Sequence, residues 1–239
     1  MSDENSQGGA PATWLDWIGF AAAGALVLGP LLGWFRVIPA LPAFYLFVLG
    51  GLLSVIAGVS ALIQAARGRG FGAGRTAALL GGMIFIFTTS TVGRGSVTND
   101  FTTDLHDPPV FEHAATLPAN AARDMAYDPS FEAEQKKCCA DLASLELPVP
   151  VEKAFEVALQ AARAMPAWTV VWDDPASGRI EAVVVTRVFG FKDDVAIRVR
   201  SDGTASRLDM RSKSRDGRGD IGANSARIRA YLASIGDEK

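Results

Sequence analysis

Histidine and cysteine are almost absent from this chain, two of each in 239 residues. The two cysteines, Cys138 and Cys139, are adjacent, which rules out the Cys-x-x-Cys redox spacing and leaves a zinc site short of ligands. They are open to three readings: inert thiols, a vicinal or intermolecular bridge, or a nucleophile. His106 and His113 stand in a polar, proline-punctuated stretch, near Asp104, Asp107 and Glu112 but without a helical pair to hold them on one face. Solvated side chains are expected there, and no metal or other cofactor.

Charge is also missing from the first third. Before Ser96 the only acids are Asp3, Glu4 and Asp16, set against Arg36, Arg67, Arg69, Arg75 and Arg94. From Ser96 onward there are 18 Lys plus Arg and 23 Asp plus Glu, a net of about -5 and an ordinary globular mixture. This split predicts a membrane anchor over residues 14–94, after a cytoplasmic tail over 1–13, followed by a soluble part. Three apolar stretches, Trp14 to Phe35, Ala43 to Ala66 and the weaker Thr76 to Val92, approach the roughly 20 residues a bilayer of about 30 Å requires. The acidic N-terminus argues against a cleavable signal peptide. None of the three carries an ionisable group in its interior, which argues against a pump or transporter and for simple anchoring. Ala25, Gly29 and Gly33, and likewise Gly50, Ser54 and Gly58, recur at the spacing that lets helices approach closely, either each other or a partner's. Pro30 should bend the first span.

Arginine placement sets the expected orientation. The loop holding Arg67, Arg69 and Arg75 should be cytoplasmic, against a single Arg36 in the other loop. Three spans then put the N-terminus inside and residues from Ser96 outside, periplasmic if the membrane is the inner membrane of a Gram-negative cell. Nucleic acid is disfavoured as a partner, because that part is acidic and its basic runs are interleaved with Asp209, Asp216 and Asp220.

Residues 95–120 read as an extended arm draped over the soluble domain, residues 121–239. Asp128 and Pro129 should open a short helix. A strand near Leu145, a helix from Val151, strands from Trp168 and Arg179, a hairpin and a last helix from Asp220 follow, with Ile221, Ile228, Leu232 and Ile235 on one stripe. The fold class is a three-helix transmembrane anchor plus an α+β domain, an antiparallel sheet of about five strands with helices on one face. Centring the hairpin on Asp202 and Gly203 pairs Val195 with Met210 and Ile197 with Leu208. It sets Asp194 opposite Arg211 and Asp193 opposite Ser212.

In that frame Ser212, Ser214 and Asn224 point inward, and Asp193, Arg215 and Arg227 could close a network with them. Three readings remain: a lock between the last helix and the sheet, a pocket for an anionic or polar ligand at a helix N-terminus, and catalysis by the aspartates. Arg198, Arg200 and Arg207 should be neighbours on the outer face, where anionic lipid headgroups are conceivable partners.

"NDFTTDLHDPP", "IEAVVVT", "FGFKDDVAIRVR", "LDMRSKSR" and "DIGANSARIR" together resemble domain-of-unknown-function family 1499, from about Asn99 to Ile235. The resemblance implies no reaction, cofactor or partner. It points to Asp193, Asp194, Arg211, Ser212, Ser214, Arg215, Asp220, Asn224 and Arg227 as characteristic positions. Members commonly carry an aromatic and a proline where this chain has Cys138, Cys139 and Ala140, and a serine where it has Gly219. The expected function is a non-enzymatic, membrane-anchored domain that binds or scaffolds at the cell envelope, its partners being the bilayer and either an anionic small molecule or an envelope protein. The alternative is an envelope hydrolase or other enzyme using the pair Asp193 and Asp194.

Overall fold

The computed structural model describes residues 13–91, 98–217 and 219–236. It divides into two compact units, Met1–Val92 with Val188–Gly190, and Gly93–Arg187 with Phe191–Lys239.

Three helices build the first unit, α1 (Trp14–Trp34), α2 (Ala40–Ala66) and α3 (Ala73–Thr91), each packed against the other two. Glycine makes this approach possible. A Cβ on Gly29 would sit 2.6 Å from the Ala43 carbonyl oxygen, and one on Gly50 would sit 2.4 Å from the Leu26 nitrogen. A Cβ on Gly58 would meet the Leu79 Cα at 2.9 Å. The small-residue spacing is thus used by this chain's own helices. Leu28, Leu31, Leu52, Ile56, Ile84 and Phe87 project outward and are exposed. Thr88, Thr89 and Ser90 donate to carbonyls of their own helix, those of Ile84, Phe85 and Phe87 respectively, at 2.8–2.9 Å. α1 runs through Pro30 as one helix.

By length and apolarity, α1 and α2 can cross a membrane. α3 falls short of that mark, with Arg75 in its first turn and hydroxyls in its last. Of the three expected spans, two are therefore candidates by this measure among the described residues. Nor do all ionisable groups stay out of the packing. Asp16 and Arg75, in the first turns of α1 and α3, are both buried and bonded to each other through two oxygens, at 3.2 and 3.3 Å. Gln64 near the end of α2 accepts from Arg75 at 2.5 Å, so one polar clasp ties all three helices at one end. Gly72 and Gly74 lie against Asp16, where a Cβ would fall 2.5 Å or less from its atoms.

The second unit is an antiparallel sheet of six strands, β1 (Asp100–Thr102), β2 (Leu145–Leu147), β3 (Trp168–Asp174), β4 (Arg179–Val185), β5 (Lys192–Asp202) and β6 (Ala205–Ser214). The order is β1-β6-β5-β4-β3, and β2 pairs with β6 on the same edge as β1. The sixth strand, β1, belongs to the stretch expected to be an extended arm, outside the sheet of about five strands. Three residues are too few to show a period, and all three are buried.

Alternation sorts the strands into two faces. Ile180, Ala182, Val184, Val195, Ile197, Val199, Leu208 and Met210 face a core capped by two helices, α6 (Val151–Ala164) and α7 (Ala223–Gly236). From these helices Ala154, Phe155, Ala158, Ile228, Tyr231 and Ile235 fill the layer. Tyr231 stacks on Trp168 with ring centroids 5.3 Å apart and donates to the Ala158 carbonyl at 2.8 Å. The other face lies under residues 103–127, which include the short helix α4 (His113–Thr116), and Phe111 and Ala114 of this segment form a small apolar cluster with Ala196 of β5. As expected, Asp128 accepts from the Ser130 nitrogen at 2.9 Å. It opens a 3-10 turn that leads into α5 (Glu132–Cys138).

Two details differ from expectation. The hairpin register is shifted by two residues, with Val195 opposite Ser212, Ile197 opposite Met210, Asp194 opposite Lys213 and Asp193 opposite Ser214. The turn is centred on Gly203 and Thr204, because only glycine takes φ 63° freely and the first central position of such a turn needs it. A shift of two keeps every side chain on its face. Ile221 is exposed and not on the buried stripe, since Gly222 at φ 94° delays the helix to Ala223. Tyr231 occupies the stripe, between Ile228 and Ile235.

Candidate functional site

Neighbouring residues in a strand point to opposite faces, and β5 applies this to Asp193 and Asp194. Asp193 faces the helices. Its Oδ2 accepts from Arg227 of α7 at 2.5 Å, and the same guanidinium reaches Ser212 Oγ at 2.8 Å and Asn224 Oδ1 at 2.7 Å. Ser212 Oγ donates to Asn224 Oδ1 at 2.7 Å, and Asn224 Nδ2 donates to Ser214 Oγ at 2.8 Å. Asp220 accepts from the backbone nitrogens of Ala223 and Asn224 at 2.9 and 3.0 Å, satisfying the first turn of α7. Burial pushes the Asp220 pKa up. The two backbone donors oppose that rise, while the charge of Asp193 adds to it.

Asp194 faces the arm. Arg215 grips both of its oxygens, with bonds of 2.6 to 3.1 Å, and Asn120 and Arg123 donate to Oδ2 at 3.0 and 3.2 Å. Arg215 is therefore not part of the inward network, contrary to expectation. The pairing of Asp194 with Arg211 is also overturned. Arg211 binds both oxygens of Asp100 at 2.8 and 2.7 Å, donates to the carbonyls of Pro109 and Met125, and lies 4.7 and 5.4 Å from the ring centroids of Phe111 and Tyr127. At 1% exposure it ties the arm, through Asp100, Pro109 and Phe111, to Met125 and Tyr127 beyond it.

Two further clusters complete this charged layer. Glu181 of β4 accepts from the backbone nitrogens of Glu112, His113 and Ala114 at 2.5, 3.0 and 2.7 Å. Burial pushes the Glu181 pKa up in spite of those donors. Asp209 receives Ser144, Arg198, Arg200 and Arg207. Burial alone would raise its pKa, but these hydrogen bonds and charges outweigh it and hold the carboxyl below the usual range. Asp104 and Asp107 of the arm pair with the same arginines. Arg198, Arg200 and Arg207 are thereby each paired with carboxylates of the sheet and the arm. Two buried donors here, Tyr127 Oη and Arg198 Nε, find no partner among the described residues.

The nine residues singled out in the sequence thus divide into two sites separated by the sheet. Asp193, Ser212, Ser214, Asp220, Asn224 and Arg227 meet beneath α7, while Asp194, Arg211 and Arg215 serve the arm. Every one of them is engaged by protein partners. Among the described residues no group of three His, Cys, Asp or Glu side chains could hold a metal ion.

The profile of the family described as "Protein of unknown function (DUF1499)" matches residues 100–235, more than half of the chain. The chain belongs to the DUF1499 family. No curated protein matches it. The matched segment coincides with the six-stranded sheet, its two helices and the arm, so the DUF1499 domain includes both polar layers.

Sequence reasoning missed Asp100, Asn120, Arg123 and Glu181. Glu181 had a signal, as a lone charge inside the apolar run "IEAVVV". Asn120 and Arg123 had none, because their role depends on the path of the arm across the sheet.

Proposed function

We propose that this chain is an integral membrane protein whose DUF1499 domain lies on the non-cytoplasmic side and scaffolds other envelope components without catalysing a reaction. One observation carries this reading. Asp193 and Asp194, the pair on which a hydrolase would depend, point to opposite faces of β5, and each is closed off by arginine. A dyad needs its carboxyls to share one site and one substrate, whereas these two act as separate internal fasteners. The network under α7 favours architecture over a ligand pocket for the same reason, since its donors and acceptors already serve each other. The exposed apolar side chains of α1 and α2 support anchoring. Arg67 and Arg69 in the α2–α3 connection support the inward placement of that loop, and with α3 as a third crossing the domain falls on the other side.

Native mass spectrometry of the full chain released from its own membranes tests the scaffold reading. Protein partners retained without any small molecule in constant ratio are the expected result. A small molecule held at one per chain, and lost on Arg227→Ala, overturns it.

A further inference from the structure

Cys138 ends α5 and Cys139 follows it directly. Their sulfur atoms lie 2.7 Å apart, well inside the roughly 3.5–4 Å at which non-bonded heavy atoms rest. One thiol is accessible and the other is not, for Cys138 is exposed while Cys139 is buried in the main core beside Leu142. The segment is also held in place. Gln135 of α5 bonds both the nitrogen and the carbonyl of Thr102 in β1, at 3.1 and 2.6 Å, and the Cys139 nitrogen donates to the Gln135 carbonyl at 2.8 Å. Beyond the pair, Asp141 is fastened to Arg229 of α7 at 2.5 and 2.8 Å. An accessible sulfur, a second one within bonding reach, and a backbone tied on both sides are the elements of a closed dithiol pair.

We propose that Cys138 and Cys139 form a reversible vicinal disulfide by exchange with a small-molecule disulfide. The exposed Cys138 sulfur attacks the oxidant, forming a mixed disulfide and expelling one thiol. The Cys139 sulfur then attacks Cys138, closing the ring and expelling the second thiol. The two cysteines lose two electrons and two protons, and the oxidant leaves as two thiols. Adjacency fixes the two Cα atoms about 3.8 Å apart, below the range of about 4.4–6.8 Å in which disulfides ordinarily occur. The ring is therefore readily reopened by reductant. Partial desolvation first, then the hydrogen bond and charge of the neighbouring Cys139 thiol, push the Cys138 thiol well above the ordinary cysteine range. Little thiolate is present at neutral pH, and exchange is slow. This inference does not depend on the scaffold reading or on the side of the membrane.

The test uses the full chain in detergent, equilibrated for hours across a range of oxidised to reduced glutathione ratios. Samples are quenched in acid, unfolded, alkylated with N-ethylmaleimide, digested and weighed. Toward the oxidised end, the peptide holding both cysteines should be two hydrogens lighter than the dithiol and unalkylated, returning to two adducts as reduced glutathione rises. The Cys139→Ser variant should stop at a single glutathione adduct on Cys138. Two maleimide adducts on the wild type at every ratio, a persistent glutathione adduct, or a covalent dimer would each overturn the proposal.

Discussion

At the scale of single residues, the stakes lie in buried polar atoms that have only one another as partners. Asn224 is fully buried and joins Ser212, Ser214 and Arg227. An alanine there leaves two serines short of a partner, each uncompensated group costing about 1–3 kcal/mol. Asn224→Ala should lower the urea unfolding free energy of the domain from residue 98 onward by about 2–3 kcal/mol. An unchanged transition would mean the network does not fasten α7. Glu181 tests the other face. A carboxyl whose pKa is raised by folding contributes most below its unfolded value, near 4.5, and that contribution is lost as pH rises through the folded value. The stability gap between wild type and Glu181→Gln should therefore narrow between about pH 4 and pH 7. For Asp209→Asn the gap should instead stay constant above about pH 5 and shrink as pH falls below about 4, because the Asp209 pKa is lowered from its ordinary 3.8 and its contribution is lost only as pH falls through the folded value. Urea midpoints of the three proteins measure both trends, and a gap that stays flat for Glu181→Gln contradicts the burial argument.

At the scale of elements, most of the sheet and both long helices of the domain were legible, because their periods run long enough to be seen. Val195 to Val199 alternates over five residues, and α6 repeats its apolar face through Ala154, Phe155, Ala158 and Ala162. The short β1 and α4 were not legible. Their side chains are chosen by what lies beneath them, and three or four residues carry no period. The two-residue register error has the same origin. Alternation fixes parity, but the turn depends on which residue takes positive φ, and Gly203 with Thr204, not Asp202 with Gly203, occupies its centre. Two glycines separate the contributions. Gly203 at φ 63° has open space around a new Cβ, so alanine there costs only the conformational penalty of about 1–2 kcal/mol. At Gly178, φ 66°, the Cβ would also fall 2.2 Å from the Val199 carbonyl oxygen. Gly178→Ala should therefore destabilise the domain clearly more than Gly203→Ala, as melting temperatures would show, and equal losses would refute the steric term.

For the whole molecule, the division into an apolar helical unit and a charged α+β unit follows from composition alone, since charge is excluded from one and abundant in the other. The side of the membrane on which the domain sits is a matter of counting spans. With Cys138 and Cys139 replaced by serine, single cysteines at Gly70 and Gly203 should react with a membrane-impermeant maleimide from opposite sides if α3 crosses. Labelling of both from one side would return α3 to the surface and abolish the proposed export. Arg75, counted from sequence among the loop charges, is spent on Asp16, so the orienting bias is Arg67 and Arg69 against Arg36. The sequence by itself determined the two-part organisation, the facing of β5 and β6 and the inward placement of Ser212, Ser214 and Asn224, because hydrophobic periodicity and charge segregation are local properties. Which of those polar residues meet was decided only by tertiary structure. Asp193 and Asp194 are neighbours along the chain, yet the pleat of β5 sends one to α7 and the other to the arm. Their partners lie from about twenty to more than seventy residues away, at distances that no local pattern encodes.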